Sequence, residues 1–304
     1  RGLYGWGEYR DLWHGFSDFP DGKFPSSTIE QTAPRLKRPL ASETVGVDVF
    51  ITLTTIHNRL HGIGSTIESL LEGEMLPTHI YVFLSEHPFL LDQGVQRSFL
   101  HTSATQKLRM LYRKFPHISI IFTDNIGSHR KLLPLLERKW MEDCAIVTVD
   151  DHLIYPKTML SSLVHYDKAA GGNAVIARRS RRMGLCSRTP PWTLSPYTRN
   201  KRGLWPETKP ARIELLMLPT GTGGVLYRPW YFNPIVFDEG LRNSTVTGDD
   251  LLFRLSTMAN GIPVVTACSP DDTKHKCPKL SDIKDLLQTQ ISASKNMLDE
   301  LFPS

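Results

Sequence analysis

The sequence predicts an α/β protein with a mostly parallel central sheet, doubly wound and flanked by helices. Three observations carry this. Short apolar, β-branched runs alternate with stretches of helical periodicity from residue 47 to residue 177. The links between them are short, which suits strand–helix–strand units whose crossovers lie on the faces of a parallel sheet. The run 144–149 is nearly continuous in its apolar character rather than alternating, as a strand covered on both faces must be.

Taken in order, residues 47–55 (VDVFITLTT) make the first strand and residues 61–71 a helix. Residues 79–84 (HIYVFL) and 118–122 (ISIIF) are strands, with a helix over 103–115 between them. Residues 128–140 are Leu-rich and helical, with Pro134 expected to kink or shorten the helix, since it lacks an N–H and crowds the preceding turn. Strand 144–149, helix 158–170 and strand 174–177 follow. Residues 178–210 break the pattern, with Pro190, Pro191, Pro196, Pro206 and Pro210 among Trp192, Tyr197 and Trp205. A loop this long is expected to be functional or disordered, and its aromatics favour an ordered excursion facing a ligand. The glycine-rich turn 220–224 enters a short strand at 225–227. Its glycines permit close backbone approach, and Pro229 in place of a helix rules out a dinucleotide fingerprint. Thr247, Gly248, Asp249 and Asp250 open a helix over 251–260 that Gly261 ends; helix capping alone would explain the two acids. A last strand is expected over 262–267 and an amphipathic helix over 281–301.

A chain of 304 residues can bury a large core, and 22 % charged residues with 40 % hydrophobic ones fit a globular protein rather than a disordered one. No run approaches the roughly 20 apolar residues of a membrane span. A net charge of +5 permits an anionic partner without naming one, and nothing in the pattern points to nucleic acid. Residues 1–45, with Trp6, Tyr9, Trp13, Phe16, Phe19 and Phe24 among Gly, Pro and charge, are expected to form a leader or stem, either wrapped on the domain or acting as a linker. Residues 46–304 are expected to form a single domain. Cys144, Cys186, Cys268 and Cys277 include no CxxC, which argues against a zinc knuckle; Cys144 is expected in the core, and Cys268 and Cys277 are close enough in sequence to pair. Asn243, Ser244 and Thr245 form an N-glycosylation sequon.

The chemistry concentrates at Asp150, Asp151 and His152, which end the most apolar strand. Two carboxylates and an imidazole at such a place call for neutralisation, and a divalent cation, Mn2+ or Mg2+, suits that ligand mix. A polar strand end that caps the next helix is the competing reading. Asp124 and the pair Asp249 and Asp250 are further acids at strand ends or a helix start, where ligands bind in such sheets. Arg178, Arg179, Arg181 and Arg182 are either a solvated face or a diphosphate contact. A metal at 150–152 and a carboxylate about a hundred residues later that takes a proton from a hydroxyl would together serve transfer of an activated group from a nucleotide diphosphate.

From residue 47 to residue 267 the order of these motifs resembles that of a GT-A-fold, inverting, metal-dependent nucleotide-sugar glycosyltransferase. The resemblance implies a Rossmann-type sandwich, with a nucleotide-binding half over 46–177 and an acceptor-side half over 178–304. Residues 47–59 resemble the first strand and nucleotide loop, which places Thr54, Thr55 and Arg59 near base and ribose. Residues 124–132 (DNIGSHRKL) resemble the segment in which an acid, here Asp124, faces the nucleoside and a lysine, here Lys131, faces the nucleotide or the strand ends. Residues 149–156 (VDDHLIYP) resemble the Asp-x-Asp motif, with His152 where the second Asp is usual. This implies Asp150 and His152 as ligands of Mn2+ (or Mg2+), Asp151 on the donor ribose or sugar, Arg178 and Arg179 on the diphosphate, and His275 as a further metal ligand or diphosphate contact. A histidine at that place is either a true ligand or the mark of a weakened site. Gly223, Gly224 and Tyr227 resemble the acceptor-side turn, with Trp205 placed beside it. The acid that opens helix 251–260 would be the base: Asp250 by its distance to Gly261, with Asp249 the close alternative.

The implied partners are a nucleotide-diphosphate sugar, with a UDP-sugar the expected donor, and a glycan, glycoprotein or glycolipid acceptor. A retaining mechanism, a nucleotidyltransferase, and a binding domain without activity are the alternatives; the second usually carries a Gly-rich basic loop after the first strand, where this chain has Thr55, Ile56, His57, Asn58 and Arg59. The aromatic leader, the missing initial Met and the sequon point to a domain of the Golgi lumen cut from its anchor, with a bacterial or viral cytosolic enzyme the alternative.

Overall fold

A computed structural model of the chain describes residues 38–185, 194–195, 213–268 and 280–288. Helix α1 (Ala41–Val45) leads into strand β1 (Asp48–Thr54), then α2 (Ile63–Leu71), β2 (His79–Leu84), α3 (Gln106–Lys114), β3 (Ile118–Phe122), α4 (Leu133–Arg138), β4 (Cys144–Thr148), α5 (Met159–Ala169) and β5 (Val175–Ala177). β1 pairs in parallel with β2 on one side and β4 on the other, and β2 pairs in parallel with β3. Strand order therefore reverses between β1 and β4.

The second half both fills in the sheet and extends it beyond β5. Of β6 (Ser180–Arg182), β7 (Gly184–Leu185), β8 (Leu194–Ser195), β9 (Ile213–Glu214), β10 (Met217–Pro219), β11 (Val225–Tyr227) and β12 (Val264–Thr266), three join the main sheet. β11 lies antiparallel between β4 and β5, with Leu226 opposite both Val147 and Ile176. β12 is parallel to β5, and β9 closes the edge antiparallel to it. The sheet thus has eight strands in the order β3-β2-β1-β4-β11-β5-β12-β9, while β6 pairs with β10 and β7 with β8 outside it.

The pleat sorts side chains into two cores. Ile51, Leu53, Val147 and Ile176 face the layer that contains Ile63 and Ile67 of α2 and Leu163 of α5. Phe50, Phe83, Ile146 and Tyr227 face the opposite layer, against Leu133 and Leu136 of α4 and Phe253 of α7 (Asp249–Ala259), the helix that follows α6 (Glu239–Ser244). Each such aliphatic or aromatic side chain contributes about 1.5–3 kcal/mol when fully buried. The expected α/β class, a mostly parallel sheet with helices on both faces, is what the chain adopts.

Three expectations are modified. The stretch 128–140 is not one helix: residues Gly127–Lys131 form a 3-10 turn and α4 begins at Leu133, with Pro134 in its first turn where a missing N–H costs nothing. The long irregular segment contains β6, β7 and β8, and the chain before β11 contains β9 and β10, five strands too short for any period to show. The stretch read as a leader ends in α1, whose Ala41 is buried in the core. Of the expected C-terminal helix, residues 283–288 are helical and the remainder lies outside the described residues. Cys144 is buried and free, while Cys268 is disulfide-bonded to a partner outside the described residues. No described helix is long and apolar enough to cross a membrane.

Candidate active site

The crevice lies where β1 and β4 run parallel and their connections leave in opposite directions, the place where doubly wound sheets bind ligands. Asp150, Asp151 and His152 follow β4. The turn they make is clamped from below. The backbone N–H of Asp150 donates to the Tyr155 hydroxyl at 2.7 Å, the Thr66 hydroxyl donates to the Asp151 carbonyl at 2.9 Å, and the N–H of Tyr155 donates to Ser69 Oγ at 3.0 Å. The buried Tyr155 of the Ile-Tyr-Pro tail is thus a strut for Asp150.

Lys131 draws the distant acids together. Its carbonyl accepts from the Thr52 hydroxyl of β1 at 2.6 Å, which fixes the end of the 3-10 turn beneath the strand ends. Its Nζ lies 3.0 Å from Asp150 Oδ1 and 2.7 Å from Asp249 Oδ2, and its side chain is only 8 % exposed. Burial disfavours the ammonium, but Asp249, Asp250 and Asp150 outweigh it and hold Lys131 charged well above its usual range. His129 fastens the same turn to the loop before α7: its Nε2 is 3.4 Å from Thr245 Oγ1, and burial keeps the ring neutral by lowering its pKa.

Asp249 and Asp250 stand in the first turn of α7, where the helix dipole favours carboxylates. They differ in state. Burial pushes the Asp249 carboxyl up, but Lys131 and the Ser128 hydroxyl pull it below the ordinary carboxylate range. Asp250 is pushed up to about 6, by burial first and then by the charges of Asp249 and Asp150, against the pull of Lys131. The Gly221 N–H donates to Asp250 Oδ2 at 3.2 Å. A Cβ at Gly221 would stand 2.6 Å from Asp150 Oδ1 and 2.9 Å from Lys131 Nζ, so a larger residue there would have to displace the ion pair.

Asp151 faces elsewhere. Its side chain is 3 % exposed, and its Oδ1 lies 3.2 Å from both Arg59 Nη1 and His152 Nδ1. Its Oδ2 is buried with no hydrogen-bond partner among the described residues. Of the expected metal set, Asp150 and His152 are among the described residues and face different partners. Asp150 is tied to Lys131, His152 turns its Nδ1 to Asp151, and His275 lies outside the described residues. Among the described residues no three His, Cys, Asp or Glu side chains converge on a point that would hold a metal ion. At Asp150 the positive charge a metal would supply is already supplied by the buried Lys131, so the described part of the set, Asp150 with His152, does not fit an ion in this arrangement.

At the expected nucleoside end, the acid in command is one the sequence reading did not single out. Asp92 is buried and accepts from Arg130 Nη2 at 2.9 Å, Asn125 Nδ2 at 3.1 Å, and the N–H groups of Gly94 and His57 at 3.1 and 3.3 Å. The buried Arg130 also donates to Thr54 Oγ1 at 2.8 Å and the Thr55 carbonyl at 3.0 Å. Thr54 and Thr55 are therefore held by the protein at the end of β1, with Thr55 fully buried. Asp124 is exposed. The signal for Asp92 was its Asx turn to Gly94 in Asp92-Gln93-Gly94, a pattern that marks local geometry rather than chemistry.

Gly223 and Gly224 form the turn into β11. Gly224 has a φ of 88°, and a Cβ on Gly223 would meet the Arg178 Cβ at 3.0 Å, so the turn lies flat on the backbone of Arg178 and Arg179. Arg178 N–H donates to the Gly224 carbonyl and Thr220 N–H to the Arg179 carbonyl, while the Arg179 side chain is exposed. Tyr227 is not on an acceptor surface. It is fully buried against Phe232 and Phe253, where desolvation and then the Asp250 charge raise its phenol pKa well above the ordinary value. Its role in the fold is to support the acidic pair from beneath. Trp205 lies outside the described residues.

No family model matches the chain, and no curated protein sequence matches it. Among solved structures it is similar to the crystal structure of S. aureus TarS 1–349, at 15 % identity over 85 % of this chain and 76 % of that one, with a TM-score of 0.44. The same protein in complex with UDP-GlcNAc matches at 14 % identity over 84 % and 71 %, with a TM-score of 0.43. The 2-C-methyl-D-erythritol 4-phosphate cytidylyltransferase of Francisella tularensis matches at 13 % identity over 80 % and 98 %, with a TM-score of 0.38. Likeness this distant says nothing of chemistry.

Proposed function

We propose that the chain is a nucleotide-sugar glycosyltransferase that inverts the anomeric carbon and uses Asp250 as general base. The observation that carries this is the division of labour in one acidic cluster. Lys131 neutralises Asp150 and Asp249, whereas Asp250 keeps a carboxyl raised to about 6 beside them. A base poised near neutral pH takes a proton effectively. The donor lies across the ends of β1 and β4. An acceptor hydroxyl oxygen attacks the anomeric carbon from the side opposite the nucleoside diphosphate. The new C–O bond forms as the bond to the phosphate oxygen breaks, that oxygen leaves with the electron pair, and the hydroxyl proton moves to an Asp250 oxygen. The Gly221 N–H on Asp250 Oδ2 holds the carboxylate in place through the transfer.

A UDP-sugar is the proposed donor and a glycan, glycoprotein or glycolipid the proposed acceptor. A lumenal compartment is in keeping with the disulfide at Cys268 and the exposed Asn243 of the sequon. The test is a screen of sugar nucleotides for hydrolysis, with and without Mn2+, on the wild type and on Asp250→Asn. Release of one nucleoside diphosphate is expected, falling by about 100-fold or more in Asp250→Asn while donor binding is kept. Full activity in Asp250→Asn places the base elsewhere.

A further inference from the structure

One group of side chains has no part in the proton transfer: Asp151 with Arg59 and His152. We propose that Arg59 and His152, both seated on Asp151, form a clamp for the diphosphate oxygens of the donor, so that the nucleotide is held without a divalent ion. The proposal rests on the nucleotide-sugar reading above and deepens it.

Asp151 has the form of an anchor. Its side chain is 3 % exposed, its backbone carbonyl is fixed by Thr66, and its Oδ1 gathers Arg59 Nη1 and His152 Nδ1 at 3.2 Å each. A carboxylate buried this far is costly unless cations stay on it, so it holds both groups in place. The two are also neighbours, with Arg59 Nη1 3.5 Å from His152 Nδ1. The anchor uses only one nitrogen of each. Arg59 is 47 % exposed and His152 53 %, which leaves the rest of the guanidinium and the imidazole Nε2 open to a ligand. A planar guanidinium fork matches two phosphate oxygens at once. Arg59 follows β1 and His152 follows β4, so the pair straddles the two strand ends that frame the crevice.

The expected metal ligands point the other way. For Asp150 to hold an ion, the cation would have to sit beside the Lys131 ammonium, which is 3.0 Å from Asp150 Oδ1, while His152, seated on Asp151 through Nδ1, has only Nε2 to offer. Lys131 already serves the cation demand of Asp150 and Asp249, from a buried position. The charge that grows on the leaving phosphate oxygen as its bond to the sugar breaks is then met by Arg59, with His152 beside it.

The test is isothermal titration of the protein with UDP, GDP, CDP and ADP, and with the corresponding nucleosides, in excess EDTA and again with Mn2+. One diphosphate is expected to bind in EDTA with an affinity within about threefold of that with Mn2+. Arg59→Ala should weaken it about tenfold or more and His152→Gln severalfold, with Arg59→Lys between Arg59→Ala and wild type, as loss of charge-assisted hydrogen bonds predicts. Binding of the matching nucleoside should be unchanged in all three, which shows that the fold and base pocket survive. Diphosphate binding that appears only with Mn2+, or wild-type affinity in both Arg59→Ala and His152→Gln, overturns the clamp and leaves the glycosyltransferase reading standing. Failure of every nucleoside diphosphate to bind under either condition overturns that reading, and the clamp with it.

Discussion

Lys131→Met removes the ammonium that Asp150, Asp249 and Asp250 share while keeping a side chain of similar length. The lysine is nearly fully buried, with ion pairs at 3.0 and 2.7 Å. Removing one partner of a buried pair strands the other, at a cost of about 3–5 kcal/mol. The lower end applies here, because Asp150 is 20 % exposed and Asp250, already at about 6, can relieve the strain by taking a proton. At about 2–4 °C per kcal/mol for a domain of this class, a loss of about 3 kcal/mol lowers Tm by about 6–12 °C. The pH dependence has a definite sign. Without Lys131 the folded-state pKa values of Asp249 and Asp250 rise, so the folded variant binds protons more tightly than its unfolded chain. Its deficit against wild type is therefore largest at pH 7 and shrinks as pH falls toward 5. Urea and thermal unfolding at both pH values measure this. A deficit under about 1 kcal/mol at pH 7, or one that widens toward acid, refutes the reasoning. Adding Asp249→Asn to Lys131→Met should restore part of the loss, since the two side chains are in contact.

Transfer by the wild type should rise with pH through about 6 as Asp250 ionises, and a profile flat from pH 5 to 8 would exclude it as the base. The same raised carboxyl costs stability, because its contribution is present below the unfolded value and is lost as pH rises through about 6. Asp250→Asn should therefore stabilise the protein at pH 7 by about 1–3 kcal/mol in urea unfolding while it abolishes transfer. Gly221→Ala should lower both transfer rate and stability, the latter by about 1–3 kcal/mol, because its methyl falls on Asp150 Oδ1 and Lys131 Nζ; wild-type kinetics would mean that the cluster yields freely. Asp92→Ala leaves the buried Arg130 without its carboxylate and should cost about 3–5 kcal/mol in denaturant unfolding, with donor affinity falling as the loop after β1 loosens.

The parallel half of the fold was legible because its strands carry their own signal. Runs such as Ile118–Phe122 are rich in β-branched residues, at least half-buried, and bounded by polar turns, and they appear at the expected residues. The segment before α4 was not, because Pro134 announces a break without saying which side of it coils, and the 3-10 turn that delivers Lys131 has no sequence period. The acids of the site were found as residues but not in their grouping. Adjacent positions 150 and 151 point to different partners, one to Lys131 and one to Arg59, because neighbours at a strand end turn to opposite sides. Burial likewise separates Tyr227 from the acceptor role its motif implies, since β11 is covered by a packed core layer on each face, with Tyr227 in the layer that contains Phe253. Asp92 was hidden for a different reason: its partners are backbone N–H groups, the Asn125 amide and an arginine 38 residues away, and the two side chains leave no mark in local composition.

The placement of β11 also has a consequence for how the chain is made. When residue 177 leaves a ribosome, β1–β4 can pair, but the outer edge of β4 and the facing edge of β5 have no partner until Val225–Tyr227 emerges. Open edges of Val, Ile and Ala are templates for association with other chains. A polypeptide ended near residue 220 would keep both edges bare and be expected to aggregate, whereas a few more residues would seal them. The nascent domain therefore passes through a sticky interval whose length is set by the 47 residues between Arg178 and Gly224, and a chaperone that binds extended apolar segments would find its target there.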